Sequence, residues 1–331
     1  MPVPSQDVSI TSVRVCSGAR CADRCDPQRE CVVTMTSTVG DEANPIFYRN
    51  VNGGELDDWV ATPVTEWDED IDDHLCLGSF VALVSGGEAS ATTGLLRSDD
   101  NGVTRVALGH ADFVANPPRC IEGLDRTMIL VGGDNGYIYG STDGLLTIDV
   151  WDAGAATTEN IVRIKIAPDN PMVIFAIGEN NALVKSEDGG ATWFALTGPS
   201  AGDDLLALDV VSQSQLLIGN ITGEIWESED GGETFAMQLA LPNQPATSEV
   251  RDITHYTNSD VFFALVNDIG AQPTEFFIYR NENGGASGLW HLIQGGDNQR
   301  QPLHSIALCD QNGGVAGGGD GDVTGVVVQI G

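Results

Sequence analysis

Ser186-Glu187-Asp188-Gly189-Gly190-Ala191-Thr192-Trp193 returns 42 residues later as Ser228-Glu229-Asp230-Gly231-Gly232-Glu233-Thr234-Phe235. The shared template is S-x-D-x-G-x-T-aromatic. Working outward, Ser98-Asp99-Asp100-Asn101-Gly102-Val103-Thr104-Arg105 fits except at the aromatic, and Ser141-Thr142-Asp143-Gly144-Leu145-Leu146-Thr147-Ile148 keeps Ser, Asp and Thr but loses the second Gly. Two looser copies are Tyr48-Arg49-Asn50-Val51-Asn52-Gly53-Gly54, followed by Trp59, and Tyr279-Arg280-Asn281-Glu282-Asn283-Gly284-Gly285, followed by Trp290. The Asp or Asn of each copy stands at 52, 100, 143, 188, 230 and 283, with gaps of 48, 43, 45, 42 and 53 residues. A motif repeated at such a period sets the architecture before any single residue bears on function.

The flanking sequence supplies the strands. Ile161–Ile166, Met172–Ile177 and Ala182–Val184 precede one copy, and Thr192–Leu196 follows it. Val, Ile, Thr and aromatic runs bounded by Gly, Asn and Asp read as strands, and no long run carries a 3.6-residue apolar period. Four strands per repeat of roughly 40–50 residues make a propeller blade. The chain is therefore expected to be an all-β, single-domain β-propeller over residues 1–331, with seven four-stranded blades, six being allowed. The last blade is expected to start near His304 and end with Thr324–Ile330. Val8–Val15 is expected either to close that blade as its outer strand or to be the innermost strand of the first. The motif suits a turn between outer strands: Asp accepts from backbone N–H groups ahead of it, and Gly takes positive φ without steric cost. Ser98, Asp100, Gly102 and Thr104; Ser141, Asp143 and Thr147; Ser186, Asp188, Gly190, Thr192 and Trp193; and Ser228, Asp230, Gly232, Thr234 and Phe235 are accordingly read as structural.

These residues resemble the Asp-box, or BNR, repeat of propellers, from about residue 46 to the last motif. The family includes sialidases, other glycoside hydrolases, sortilin-type receptors and photosystem II stability/assembly factors. The resemblance implies that each box turns between the two outer strands of a blade, away from the axis. Sialidases carry an Arg-Ile-Pro tripeptide near the N-terminus, which this sequence lacks; Arg163-Ile164-Lys165 is the nearest echo. No catalytic residue is named by the sequence, and the reading at this point is of a chain that is not an enzyme and holds no cofactor.

Composition bounds the partners. Asp and Glu number 48 against 15 Lys and Arg, a formal charge of −33. Only Lys165 and Lys185 are lysines. Such a field repels nucleic acid and anionic membranes and favours solubility at high salt. There is no apolar run long enough to span a bilayer, and Met1–Asp7 lacks the basic start and apolar core of a secretory signal. The acidic stretch Glu66–Asp73 offers Asp68, Asp70, Asp72 and Asp73 as a cation loop, against the simpler reading of a solvated acidic loop.

Seven cysteines are present, four of them clustered as Cys16, Cys21, Cys25 and Cys31 in a Cys-rich loop, 16–31. Two disulfides within this loop are expected, with a zinc site or free thiols as alternatives. Cys76, Cys120 and Cys309 read as small buried residues of inner strands.

Three functions stay open. The first is a protein-interaction propeller: a virion component such as a head decoration, turret or tail-attachment protein, contacting other structural proteins, copies of itself or a host-surface glycan. Its contact loops would be 16–31, 61–73, 267–275 and 293–303, and its location the virion or the extracellular space. The second is a glycan-binding or glycan-hydrolysing propeller, with Trp67 and Trp151 outside the box pattern as sugar-stacking candidates. The third is an assembly factor of the photosystem type.

Overall fold

The computed structural model describes residues 9–16, 32–38, 44–50, 59–86, 94–238, 241–256, 259–271, 274–282, 290–295, 302–308, 314–318 and 326–330. Their strands form sheets in plain sequence order. The first blade is β1 (Ile10–Val15), β2 (Val33–Ser37), β3 (Ile46–Asn50) and β4 (Val60–Pro63). The second is β5 (Asp73–Leu77), β6 (Phe80–Val84), β7 (Leu95–Ser98) and β8 (Val106–Leu108). The third is β9 (Pro118–Asp125), β10 (Met128–Gly133), β11 (Tyr137–Ser141) and β12 (Asp149–Ala153). The fourth is β13 (Ile161–Ile166), β14 (Ile174–Gly178), β15 (Leu183–Ser186) and β16 (Phe194–Ala195). The fifth is β17 (Leu205–Val210), β18 (Leu216–Asn220), β19 (Ile225–Ser228) and β20 (Ala236–Met237). The sixth is β21 (Ser248–His255), β22 (Phe262–Asp268), β23 (Glu275–Asn281) and β24 (Trp290–Gly295). A last sheet holds three strands, β25 (Leu303–Leu308), β26 (Gly314–Gly318) and β27 (Val326–Ile330).

The expected all-β propeller is thus found: six complete four-stranded antiparallel blades, and a three-stranded sheet that closes the ring. The first strand of each sheet faces the axis. β1, β5, β9, β13, β17, β21 and β25 pack side by side in that order, and β25 returns to β1. Of the two roles open to the N-terminal run, the structure takes the inner one: Ile10–Val15 is the innermost strand of the first blade. At the closure the Ser305 hydroxyl donates to the Val13 carbonyl at 3.3 Å.

The apolar patterning explains the packing. Inner and middle strands read as near-continuous apolar runs because both sheet faces are covered. In β22, Phe262, Ala264 and Val266 join a core shared with the fifth blade, whereas Phe263 and Leu265 join one shared with the last sheet. Alternation with period two does this for every blade. Seven apolar clusters result, one at each contact between neighbouring sheets.

The repeated motif lies between the third and fourth strands. Ser98 Oγ accepts from Gly102 N at 2.9 Å, while Asp100 accepts from Thr104 N at 2.8 Å and Thr104 Oγ1 at 2.6 Å. The bonds recur around Ser141, Ser186 and Ser228. The Thr side chain and N–H hold the carboxyl of Asp100 down to about 2, and Asp230 is held alike. Gly102, Gly190 and Gly232 have φ of 83°, 93° and 90°. Each also presses on the preceding blade: a Cβ would stand 2.6 Å from Phe47, 2.6 Å from Trp151 and 2.8 Å from Leu196, respectively. The turn glycine therefore answers two demands, a left-handed backbone and close approach between blades.

The cysteine expectation is corrected. Cys16 is bonded to Cys76, 60 residues on, with Cα atoms 4.7 Å apart. The bond ties the end of β1 to β5, across two blades, so Cys16 is not paired inside its cluster and Cys76 is not a lone buried thiol. Cys21, Cys25, Cys31 and Cys309 lie outside the described residues. Cys120 is free and buried, and burial pushes its thiol up to about 12. No described helix is long and apolar enough to cross a membrane.

Candidate functional site

Charged residues interrupt the apolar inner strands, and the ring brings them to the axis. Arg14 of β1 donates to Asp73 of β5 at 2.8 Å and lies 3.4 Å from Glu122 of β9, which Lys165 of β13 also reaches at 3.1 Å. Asp73 accepts further from Ser12 Oγ at 2.9 Å and from Ile121 N at 3.1 Å. Asp252 of β21 accepts from Ile306 N at 2.9 Å and Ser305 Oγ at 3.2 Å, and His255 Nδ1 meets Asp209 Oδ2 at 2.7 Å. Each contact joins different blades. β-Bulges near the starts of β1, β13, β17, β21 and β25 locally re-aim the side chains that carry this network.

The electrostatics follow from burial set against pairing. Burial alone would raise the carboxyl of Asp73, but Arg14 outweighs it and holds the group well below the usual carboxylate range. Burial likewise opposes ionisation of Glu122, which Lys165 and Arg14 overcome. Asp252 goes the other way: burial keeps it above the ordinary value against Arg163. Asp72 stands beside this cluster, solvent-exposed at the mouth of the axial well, and accepts from Gly86 N at 2.5 Å. The well has a volume of about 60 Å³. That is far below the roughly 300–1,000 Å³ of ordinary small-ligand sites. Its chemistry is that of an inter-blade ionic clasp.

The acidic stretch does not assemble into the cation loop considered from sequence. Asp73 turns to the axis, Asp72 stays at the rim, and Asp68 and Asp70 are exposed. Among the described residues no group of three metal-ligating side chains converges. Trp67 is 4 % exposed, so it has no free face for a sugar; Trp151 packs over Gly140 and Gly190 between blades. The Ser, Asp, Gly and Thr residues of the repeated motif sit on outer turns, away from the axis.

A larger concavity lies between the fifth and sixth blades. It measures about 450 Å³ and is formed by the β18–β19 turn, the end of β20 and the connection to β21. Thr222, Glu224, Met237, Gln238, Leu241 and Gln244 are on its walls. Gln244 fixes the connection, donating to the Gly223 carbonyl at 2.6 Å and Ser248 Oγ at 2.8 Å. Sequence reasoning missed both places. The axial residues were signalled by charges inside strand runs such as Ile10-Thr-Ser-Val-Arg14-Val15. The groove has no sequence signal, because three separated segments build it.

Comparison with known proteins gives these likenesses. No family model matches the chain. A xyloglucanase of Paenibacillus sp. is 26% identical over 214 residues, which is 65% of this chain and 18% of that protein. The chain thus spans less than a fifth of that curated relative's length. Among solved structures, YCF48 from Cyanidioschyzon merolae superposes with a TM-score of 0.68 at 14% identity, covering 100% of this chain and 98% of that one. YCF48 bound to D1 peptide gives 0.69 at 14%, covering 100% and 93%. The GH74 xyloglucanase from Xanthomonas campestris gives 0.66 at 16%, covering 97% and 52%. At such identities the solved structures speak for the fold alone. The expectation of a chain that is not an enzyme is corrected by the xyloglucanase relative, a glycoside hydrolase found by sequence as well as by fold. The virion role expected from acidity and cysteines has no support among these likenesses.

Proposed function

We propose that the chain is a glycan-directed propeller, one that binds and hydrolyses a neutral polysaccharide of the xyloglucan class. The observation that carries this reading is the 26% identity to a xyloglucanase over 214 residues. The charge fits: at −33 the surface favours a neutral polymer over an anionic one. A groove of about 450 Å³ falls in the size range of small-ligand sites. The test is affinity electrophoresis of the full chain in gels containing xyloglucan, paired with reducing-end release from the same polymer. Retardation and new reducing ends are expected. Unchanged migration together with no reducing ends from xyloglucan overturns the reading.

A second reading, peptide docking, is favoured by one observation: YCF48, which matches this chain along nearly its whole length, has been seen bound to D1 peptide. Peptide-array binding with no retardation in xyloglucan would select it.

A further inference from the structure

We propose that the axial well is a binding site for a compact inorganic anion, chloride in ordinary solution, with the Arg163 guanidinium as its receptor. The chain as a whole carries 48 Asp and Glu against 15 Lys and Arg, and a surface of that kind repels anions. The inner strands depart from it. They hold five of the basic residues, Arg14, Arg119, Arg163, Lys165 and Arg251, against six of the acidic ones. With charge nearly balanced at the axis, the hydrogen-bonding state of each group decides what the well can take.

In the well the acceptors are engaged and one charged donor is not. Asp73 accepts from Arg14, Ser12 Oγ and Ile121 N, and Glu122 accepts from Lys165 Nζ and Gly123 N. Asp252 accepts from Ser305 Oγ and Ile306 N. Arg163 differs. Its Nη1 donates to the Val162 carbonyl at 3.1 Å, and no carboxylate among the described residues pairs with it. The group reaches the axis: anchored in the fourth blade, it acts on Asp73 of the second and Asp252 of the sixth, and all three are on the wall of the well. Its other N–H groups are accessible, because Arg163 is half-buried and none of its nitrogens is among the fully buried atoms that lack a partner. Arg251 adds to the positive field. Burial holds its guanidinium below the ordinary value, Arg163 repels it, and its counter-charge, Glu249, is 3.8 Å away. A partly desolvated guanidinium without a counter-ion calls for one from outside.

The size of the well selects the ion. At about 60 Å³ it takes a bare ion and is far too small for a phosphate ester or a sugar acid. A cation is the poorer occupant. The carboxylates of the well already hold donors, and among the described residues no group of three metal-ligating side chains converges.

The experiment is chloride NMR line broadening by the full chain, with thermal melts in which sodium chloride replaces sodium gluconate at fixed ionic strength. Fixed ionic strength removes general screening, and the common cation removes any effect of sodium. Saturable broadening is expected, with a rise in Tm of about 4 °C at a roughly hundredfold excess of chloride over Kd. Arg163→Gln should abolish both effects, and Arg163→Lys, which keeps the charge, should retain them in weakened form. Absence of broadening, with equal Tm in the two salts, overturns the proposal. A full chloride effect in folded Arg163→Gln overturns it as well, since the ion then sits elsewhere. If Arg163→Gln does not fold, bromide soaked into crystals of the wild-type chain decides by its anomalous scattering. A peak beside the Arg163 guanidinium supports the site, and the lack of one there overturns it.

Discussion

Removing the Cys16–Cys76 bond by the double substitution Cys16→Ala/Cys76→Ala should lower stability by about 4 kcal/mol. The figure follows from loop closure. The bond joins residues 60 apart, and chain entropy for a loop of that length, −2.1 − 1.5R ln n, amounts to about 4 kcal/mol at 25 °C. Unfolding entropy near 2.1 cal/mol/K per residue over 331 residues is about 0.7 kcal/mol/K, which turns the loss into a drop in Tm of about 6 °C. The double alanine variant is preferable to reduction, because reductant acts on every disulfide at once whereas the substitutions remove this one bond. Equilibrium urea unfolding of wild type and variant measures the difference, and peptide mapping without reduction identifies the bond. A change under about 1 kcal/mol refutes the entropic reasoning. A mapped bond from Cys16 to Cys21, Cys25 or Cys31 refutes the pairing itself.

Gly190→Ala should cost about 2–4 kcal/mol, from the left-handed backbone and from crowding Trp151, measured by the urea midpoint; a neutral effect would dismiss the inter-blade role of the turn glycine. Arg14→Ala should destabilise by about 3–5 kcal/mol, since it leaves Asp73 and Glu122 buried with less counter-charge. The same urea series checks it, and Asp73→Asn in the Arg14→Ala background should recover part of the loss. His74 is fully buried on Thr34, and burial holds its imidazole down to about 3 from 6.5. The unfolded chain then binds the extra proton, so this contribution is complete above pH 6.5 and fades as pH falls toward 3, by about 1.4 kcal/mol per unit. His74→Asn should remove that slope from the stability–pH curve, measured as the difference from wild type; parallel curves would show that His74 is not held neutral.

The fold was legible because its signal is repeated and local. A turn needing Ser, Asp, Gly and Thr at fixed offsets announces itself wherever it occurs, and runs such as Phe262–Val266 announce a sheet covered on both faces. The departures are physical substitutes. Arg105 occupies the aromatic position, and its guanidinium donates to the Gly102 carbonyl at 2.6 Å, as Trp193 Nε1 does to Gly190 at 3.1 Å. Leu145 replaces the second glycine at φ 57°, a strain of about 1–2 kcal/mol that its complete burial, worth about 2–3 kcal/mol, offsets.

What stayed hidden depends on closeness in space between residues far apart in the chain. Four cysteines within sixteen residues suggested a local staple, yet Cys16 meets Cys76 because β1 and β5 are neighbours on the ring. Consecutive carboxylates suggested a shared cation, yet strand alternation sends Asp73 to Arg14 and leaves Asp72 at the rim. The same logic holds for the groove. Gln238 is an ordinary glutamine in sequence; on the ring it is buried against Glu227, eleven residues earlier, which accepts from its amide nitrogen at 2.7 Å. In a propeller the strands are written in the repeat, whereas binding is decided where connections from adjacent blades meet. Met237 and Thr222 stand exposed at the groove where such connections meet, so substitutions there leave the seven inter-blade cores intact.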